Sequence, residues 1–103
     1  ASNRKEMRKA QGKVRQEKSE ALKPLHFKLK KIEEQIEKLE YRKKEIELLM
    51  TNEDFFKSKD HIELTEEYKI SANELETSFT DWSNISDEIE EVSKSYEEKI
   101  NQL

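Results

Sequence analysis

The chain has 103 residues, of which 43% are charged and 32% hydrophobic, with one glycine, one proline and no cysteine. The missing cysteines exclude a disulfide framework, thiolate catalysis and cysteine-based metal sites. So few turn-forming residues argue against an all-β fold, which needs a turn about every 8 to 12 residues. No apolar run has the length of a membrane span or a signal-peptide core. We therefore expect a helical, cytoplasmic protein with no membrane partner.

The charge is distributed unevenly along the chain. Residues 1–31 carry 11 Lys or Arg against three Glu, whereas residues 32–103 carry nine against 21 acidic residues. A basic segment before an acidic body is typical of a polyanion contact, because clustered cations displace counterions from phosphates. An ordinary solvated helix face, or neutralisation of an acidic partner helix, fits the same pattern. The candidate nucleic-acid contacts are Lys5, Arg8, Lys9, Lys13 and Arg15.

Residues 1–23 are predicted to be a basic, partly helical lead-in. Ala1, Ser2 and Asn3 look like a cloning remnant, and no function is assigned to them. Gly12 and Pro24 are helix breakers, costing about 1 and 3 kcal/mol relative to Ala. We therefore expect a frayed lead-in and a first arm that is kinked or broken near Pro24.

Residues 24–103 are predicted to form a helical hairpin, with a first arm at 24–50, a turn at 51–60 and a second arm at 61–102. Apolar residues of the first arm alternate in steps of four and three, which is the pattern of a coiled-coil seam, and those of the second arm follow a less regular series. Two such helices joined by about ten residues fold back on each other. The fold class is thus all-α, an antiparallel two-helix coiled-coil hairpin. Its predicted core consists of Leu25, Leu29, Ile32, Ile36, Leu39, Ile46, Leu75, Phe79, Trp82 and Ile89.

Two finer details follow from this hairpin. Phe55 and Phe56 lie in the turn, where both are expected to plug the end of the hairpin. If Met50 lies near His61, Trp82 falls beside Leu25 and Leu29.

Motifs for catalysis are not found in the sequence. One glycine cannot form a glycine-rich phosphate loop, and the two histidines fall in different arms, too far apart for a metal pair. We therefore predict no enzyme, no catalytic residue and no cofactor or metal site in this chain. Phe27 and Tyr41 fall off the seam, where an exposed ring beside lysines could meet a base, a sugar or a second protein.

The order of several features resembles the C-terminal coiled-coil domain of ABC-F ATPases, which are soluble ATP-binding cassette proteins without membrane domains. These proteins act on ribosomes or in nucleic-acid maintenance. The resemblance covers nearly the whole chain from Arg4. It rests on the run at 15–25 with its Pro-Leu pair, the end of the first arm at 48–50, the acidic-aromatic turn at 52–56, and the segments 63–68, 74–76 and 81–82 with the lone tryptophan.

The resemblance implies an accessory hairpin that follows the second nucleotide-binding domain of a parent ATPase. ATP and magnesium would bind that parent, not this chain. The implied partners are the parent's nucleotide-binding domains and, through the basic residues 4–31, ribosomal RNA, the ribosome or DNA. The alternatives are the interdomain arm of the same family, which usually carries more Arg and aromatic residues, and a structural coiled-coil spacer or a dimerisation or protein-docking module. A homodimer stays open.

Overall fold

The chain is a hairpin of two long helices. The structure is a computed structural model that describes residues 2–103, with side chains from Asn3 onward. Helix α1 spans Ser2–Met50 and helix α2 spans His61–Asn101, and residues 2–103 contain no strand. The helices pack against each other, which confirms the predicted all-α hairpin. Of the three residues set aside as a cloning remnant, Ala1 lies outside the described residues.

Of the two predicted alternatives at Pro24, a kink or a break, the break does not occur, because Pro24 lies inside the continuous helix α1. The helix also begins at Ser2, and it crosses the predicted boundary between residues 23 and 24. Proline leaves the carbonyl of Glu20 without its main-chain donor. Packing offsets this loss, because the adjacent Leu25 is buried and lines a groove together with Ala21 and Tyr96. Helix propensity is a weak determinant where one face of the helix is covered by a partner.

The core is the seam, meaning the single row of side chains that each helix turns toward the other. Leu25, Leu39, Ile46 and Leu75 are buried, and Ile46 is completely inaccessible to solvent. A second group on the same rows is half-buried, consisting of Leu29, Ile32, Ile36 and Ile89. These eight residues lie where the core was predicted.

Phe79 and Trp82 were also predicted to belong to the core, and this prediction is wrong. They keep 49% and 40% of their surface exposed. Two helices cover only one narrow row of each other, and Phe79 lies beside that row, next to the half-buried Ser78. Trp82 lies on the row, but an indole is too large to be covered by one facing helix. Both rings therefore line a groove at the edge of the seam.

Two serines occupy seam positions of α2 that the sequence analysis did not recognise. Ser71 is buried and Ser78 is half-buried, although both are polar. With them the seam of α2 becomes a regular alternation of four and three. The complete row is Leu64, Tyr68, Ser71, Leu75, Ser78, Trp82, Ile85, Ile89, Val92 and Tyr96. The irregularity predicted for this arm came from counting apolar residues only.

The connection between the helices contains a 3₁₀ helix at Phe55–Lys57. Phe55 is buried and plugs the hairpin end as predicted, whereas Phe56 is 71% exposed and does not. Their ring centroids lie 5.1 Å apart in an edge-to-face arrangement. The side-chain oxygen of Asn52 accepts a hydrogen bond of 2.9 Å from the N–H of Asp54, which fixes the start of this turn.

Trp82 does not have the neighbours that the predicted register gives it. It lies beside Glu33 and Ile36, further along α1 than the predicted Leu25 and Leu29. At the start of α2, the ring of His61 lies 6.5 Å from that of Phe55.

Polar contacts join the helices near the turn. Nε of Arg42 donates hydrogen bonds of 3.1 and 2.9 Å to the two carboxylate oxygens of Glu67. The Tyr68 hydroxyl donates a 3.0 Å hydrogen bond to Glu47, and Nζ of Lys43 lies 5.4 Å from the centroid of the Tyr68 ring. Lys43 thus fills its seam position by placing its ammonium over an aromatic face. The hydrogen bond to Glu47 raises the pKa of Tyr68.

The hairpin divides into two compact units, one made of residues 2–30 and 83–103 and the other of residues 31–82. The first unit contains the predicted nucleic-acid contacts, and the second contains the connection. Within the described residues, neither helix has an apolar stretch of the length needed to cross a membrane.

Candidate nucleic-acid interface

The five predicted contact residues lie on the first four turns of α1, and all five are exposed. Lys5, Lys9 and Lys13 are spaced by four, so they share one face of the helix. Arg8 and Arg15 are two turns apart and share a neighbouring face. The five cationic side chains therefore lie within about 15 Å along the helix axis. We call residues 4–15 the cationic segment.

The cationic segment is not neutralised by its own residues. It contains six Lys or Arg, and Glu6 is its one acidic residue. Among the described residues, no salt bridge involves Lys5, Arg8, Lys9 or Lys13. Like charges four residues apart repel each other in a helix. The first turn of α1 also lacks an acidic residue, which would interact favourably with the positive end of the helix dipole. A bound anion would reduce the repulsion and would supply the missing negative charge.

Neutralisation by the partner helix, which was the competing interpretation, occurs at the next cation. Nζ of Lys18 lies 2.7 Å from a carboxylate oxygen of Glu97. This hydrogen bond lowers the pKa of Glu97, and the positive charges of Lys18 and Arg15 add to the effect. Arg15 is therefore partly compensated by α2, which sets it apart from the other four predicted contacts.

The fold also cancels most of the charge difference along the sequence. Residues 83–103 contain six acidic residues and two lysines, and they pack beside the basic start of α1. The first unit consequently holds 12 Lys or Arg against nine acidic residues. The first unit, which contains the basic residues 4–30, therefore has only a small excess of positive charge. This excess is concentrated in the cationic segment.

The two predicted exposed rings are indeed exposed, but the structure does not bring them to one site. Tyr41 lies next to Glu34, Glu37 and Lys38, on a surface that is more acidic than basic. Arg42, the next residue in the sequence, forms a salt bridge with Glu67. Phe27 is exposed in the first unit, on the helix that carries the cationic segment. The structure therefore offers no cationic aromatic platform around Tyr41.

One feature of the second unit was missed by the sequence analysis. A groove of about 340 Å³ runs along one edge of the seam, with carboxylates on one wall and aromatic rings on the other. We call it the acidic-aromatic groove. Its lining residues are Glu33, Ile36, Glu37, Glu40, Phe79 and Trp82. The spacing of the three glutamates by four and three, beside a seam position, is the sequence signal that could have found it.

Comparisons with protein-family models, with curated proteins and with solved structures found no match for this chain.

Proposed function

We propose that the chain is a non-catalytic nucleic-acid-binding hairpin, the accessory C-terminal domain of a cytoplasmic ABC-F ATPase, and that it contacts ribosomal RNA or DNA through the cationic segment. The observation that carries this proposal is the set of exposed side chains of Lys5, Arg8, Lys9 and Lys13 on one helix, none of which forms a salt bridge among the described residues. The family assignment is supported by the order of motifs and by the helical hairpin architecture. ATP and magnesium would bind the parent's cassettes.

The mechanism is electrostatic and positional. Lysine ammonium groups act as point charges toward phosphates, and arginine can donate two parallel hydrogen bonds to one phosphate. Each neutralised phosphate releases condensed counterions, so affinity falls steeply with salt. A continuous helix presents these groups at fixed spacing, which lowers the ordering cost of binding.

The test is fluorescence anisotropy of labelled ribosomal RNA fragments and of linear and branched DNA at about 50 and 200 mM salt. If all five predicted contacts reach phosphates of a duplex, affinity falls about 500-fold between these salt concentrations. The variant Lys5→Glu, Lys9→Glu, Lys13→Glu should bind far more weakly and lower the salt slope by about 3. The preferred polymer then identifies the partner class.

The control variant is Lys44→Glu, Lys59→Glu, Lys69→Glu. It changes the net charge equally but lies in the second unit, and all three lysines are exposed. Equal losses of binding in both variants would mean that binding depends only on net charge, and would refute a role for the cationic segment. Circular dichroism should show that both variants remain helical.

The second candidate function is a structural spacer that binds no polynucleotide. The contact between Lys18 and Glu97 favours it, because it shows basic residues of α1 being matched by acidic residues of α2. This candidate predicts no anisotropy change with any ligand at either salt concentration.

A further inference from the structure

The acidic-aromatic groove contains apolar surface that the hairpin leaves uncovered. Phe79 and Trp82 of α2 line it together with Ile36 of α1. Exposed aromatic rings that adjoin one another in a groove are typical of interaction sites in soluble proteins. The groove is therefore a candidate docking surface, and its charge indicates the kind of partner that would fit it.

The opposite wall of the groove is negatively charged and has no cationic partner. Within the described part of the chain, no salt bridge involves Glu33, Glu37 or Glu40. The three residues recur at steps of four and three, so their carboxylates form one row about 10 Å long. Carboxylates beside a tryptophan face are the two halves of a site for arginine or lysine, since the cation can pair with one and stack on the other.

The same chain carries a matching set of cations. Lys5, Arg8 and Lys9 are exposed, without salt bridges among the described residues, and they lie within about 1.5 turns of α1. They span about 6 Å of the helix axis, so all three cations fit within the carboxylate row of about 10 Å. We propose that the acidic-aromatic groove binds the cationic segment of a second copy of this chain, which gives a reciprocal homodimer with two equivalent contacts.

This inference does not depend on the proposed binding of nucleic acid. Both use the cationic segment, so a polyanion would compete with dimerisation. Self-association is measured in the absence of nucleic acid, and anisotropy reports only on the labelled polynucleotide. Failure of one proposal is therefore visible separately from failure of the other.

The experiment is sedimentation equilibrium at low salt over a range of protein concentrations. The mass should rise from 12.4 kDa toward twice that value with concentration, and the rise should disappear at high salt. A contact between copies depends on concentration, whereas a contact within one copy does not. Trp82 is the only tryptophan, so its emission should shift to the blue as a second copy covers it.

Charge-reversed variants test the pairing of the two surfaces. A groove-reversed variant carries Glu33→Lys, Glu37→Lys and Glu40→Lys, and a segment-reversed variant carries Lys5→Glu, Arg8→Glu and Lys9→Glu. In each variant alone the two surfaces carry the same charge sign, so we expect monomers at every concentration. In an equimolar mixture every contact is complementary again, and we expect a heterodimer.

A matched control reverses three exposed glutamates elsewhere on the second unit, as Glu53→Lys, Glu66→Lys and Glu74→Lys. It should dimerise like the unmodified chain. The proposal is overturned if the unmodified chain stays monomeric at low salt, if either reversed variant still dimerises alone, or if the mixture stays monomeric. It is also overturned if the control loses dimerisation to the same extent as the groove-reversed variant.

Discussion

Removing the side chain of Ile46 should destabilise the hairpin more than any other single truncation in α1. Ile46 is the one large side chain of the described residues that is completely buried. Ile46→Ala deletes three carbon atoms, each worth about 0.8 kcal/mol of transfer free energy, and leaves a cavity whose cost adds to this. Because two helices can close together over a small cavity, we expect about 2.5 to 3.5 kcal/mol.

The assay is urea unfolding followed by circular dichroism at the helix band. With a slope of about 1.5 to 2 kcal/mol per molar urea, the midpoint of Ile46→Ala should fall by about 1.5 M. Leu48→Ala is the matched control, because Leu48 is two residues away on the same helix and 71% exposed. The free energy of unfolding of Leu48→Ala should differ from that of the unmodified chain by less than about 0.5 kcal/mol.

Ile46→Val removes one methylene group and should cost about 1 kcal/mol, so it keeps the test usable if Ile46→Ala is already unfolded. The reasoning is refuted if Ile46→Ala and Leu48→Ala shift the midpoint equally. Such a result would mean that the helices do not pack through this part of the seam.

Three further outcomes are expected. Gly12→Ala should raise helix stability by about 1 kcal/mol, since nothing beyond the local helix backbone and the two neighbouring residues lies within 4 Å of the added methyl group. Hydrogen exchange should show about fivefold greater protection of neighbouring amides, and lower protection would contradict this. The pKa of Glu97 is lowered by Lys18, so their contact stabilises the fold above the ordinary value of 4.5 and is lost as pH falls through the lowered value. Thermal unfolding of Glu97→Gln should accordingly decline less between neutral and acidic pH, and an identical decline would contradict this. The pKa of Tyr68 is raised, so its hydrogen bond stabilises the fold below the ordinary value of 10.0, and this stabilisation is lost as pH rises through the raised value. Tyr68→Phe should therefore lose less thermal stability at alkaline pH than the unmodified chain does.

The helical hairpin could be predicted from the sequence because its first arm carries an unambiguous period. Steps of four and three from Leu25 to Met50 allow one interpretation, and α1 ends at Met50 while α2 begins at His61, as predicted. The break that was one of the two alternatives predicted at Pro24 does not occur, because the partner helix covers one face of α1 and local propensity alone does not decide. Ser71 and Ser78 were missed because the seam was sought among apolar residues only. A polar residue can be recognised as part of a seam only by its spacing from the apolar residues on either side.

The candidate interface was predictable in part. Exposure of Lys5, Lys9 and Lys13 follows from residue type and spacing. The contact between Lys18 and Glu97 joins residues 79 positions apart, so it depends on the register of two long helices far from their connection. An error of one turn there changes which side chains face each other, so sequence reasoning could not assign which cations are neutralised.

The exposure of Phe79 and Trp82 follows from the architecture itself. A bundle of three or four helices can enclose an indole, whereas a hairpin offers each side chain only one facing helix. A hairpin with tryptophan and phenylalanine in adjacent turns must therefore leave part of both rings accessible. The same geometry places the glutamates of α1 directly across the groove from those rings. A cation that entered the groove would meet an aromatic face and a carboxylate together, and the chain itself presents such cations at Lys5, Arg8 and Lys9. Both surfaces occur on every copy, so the proposed association would use each of them, and its dependence on protein concentration is the test.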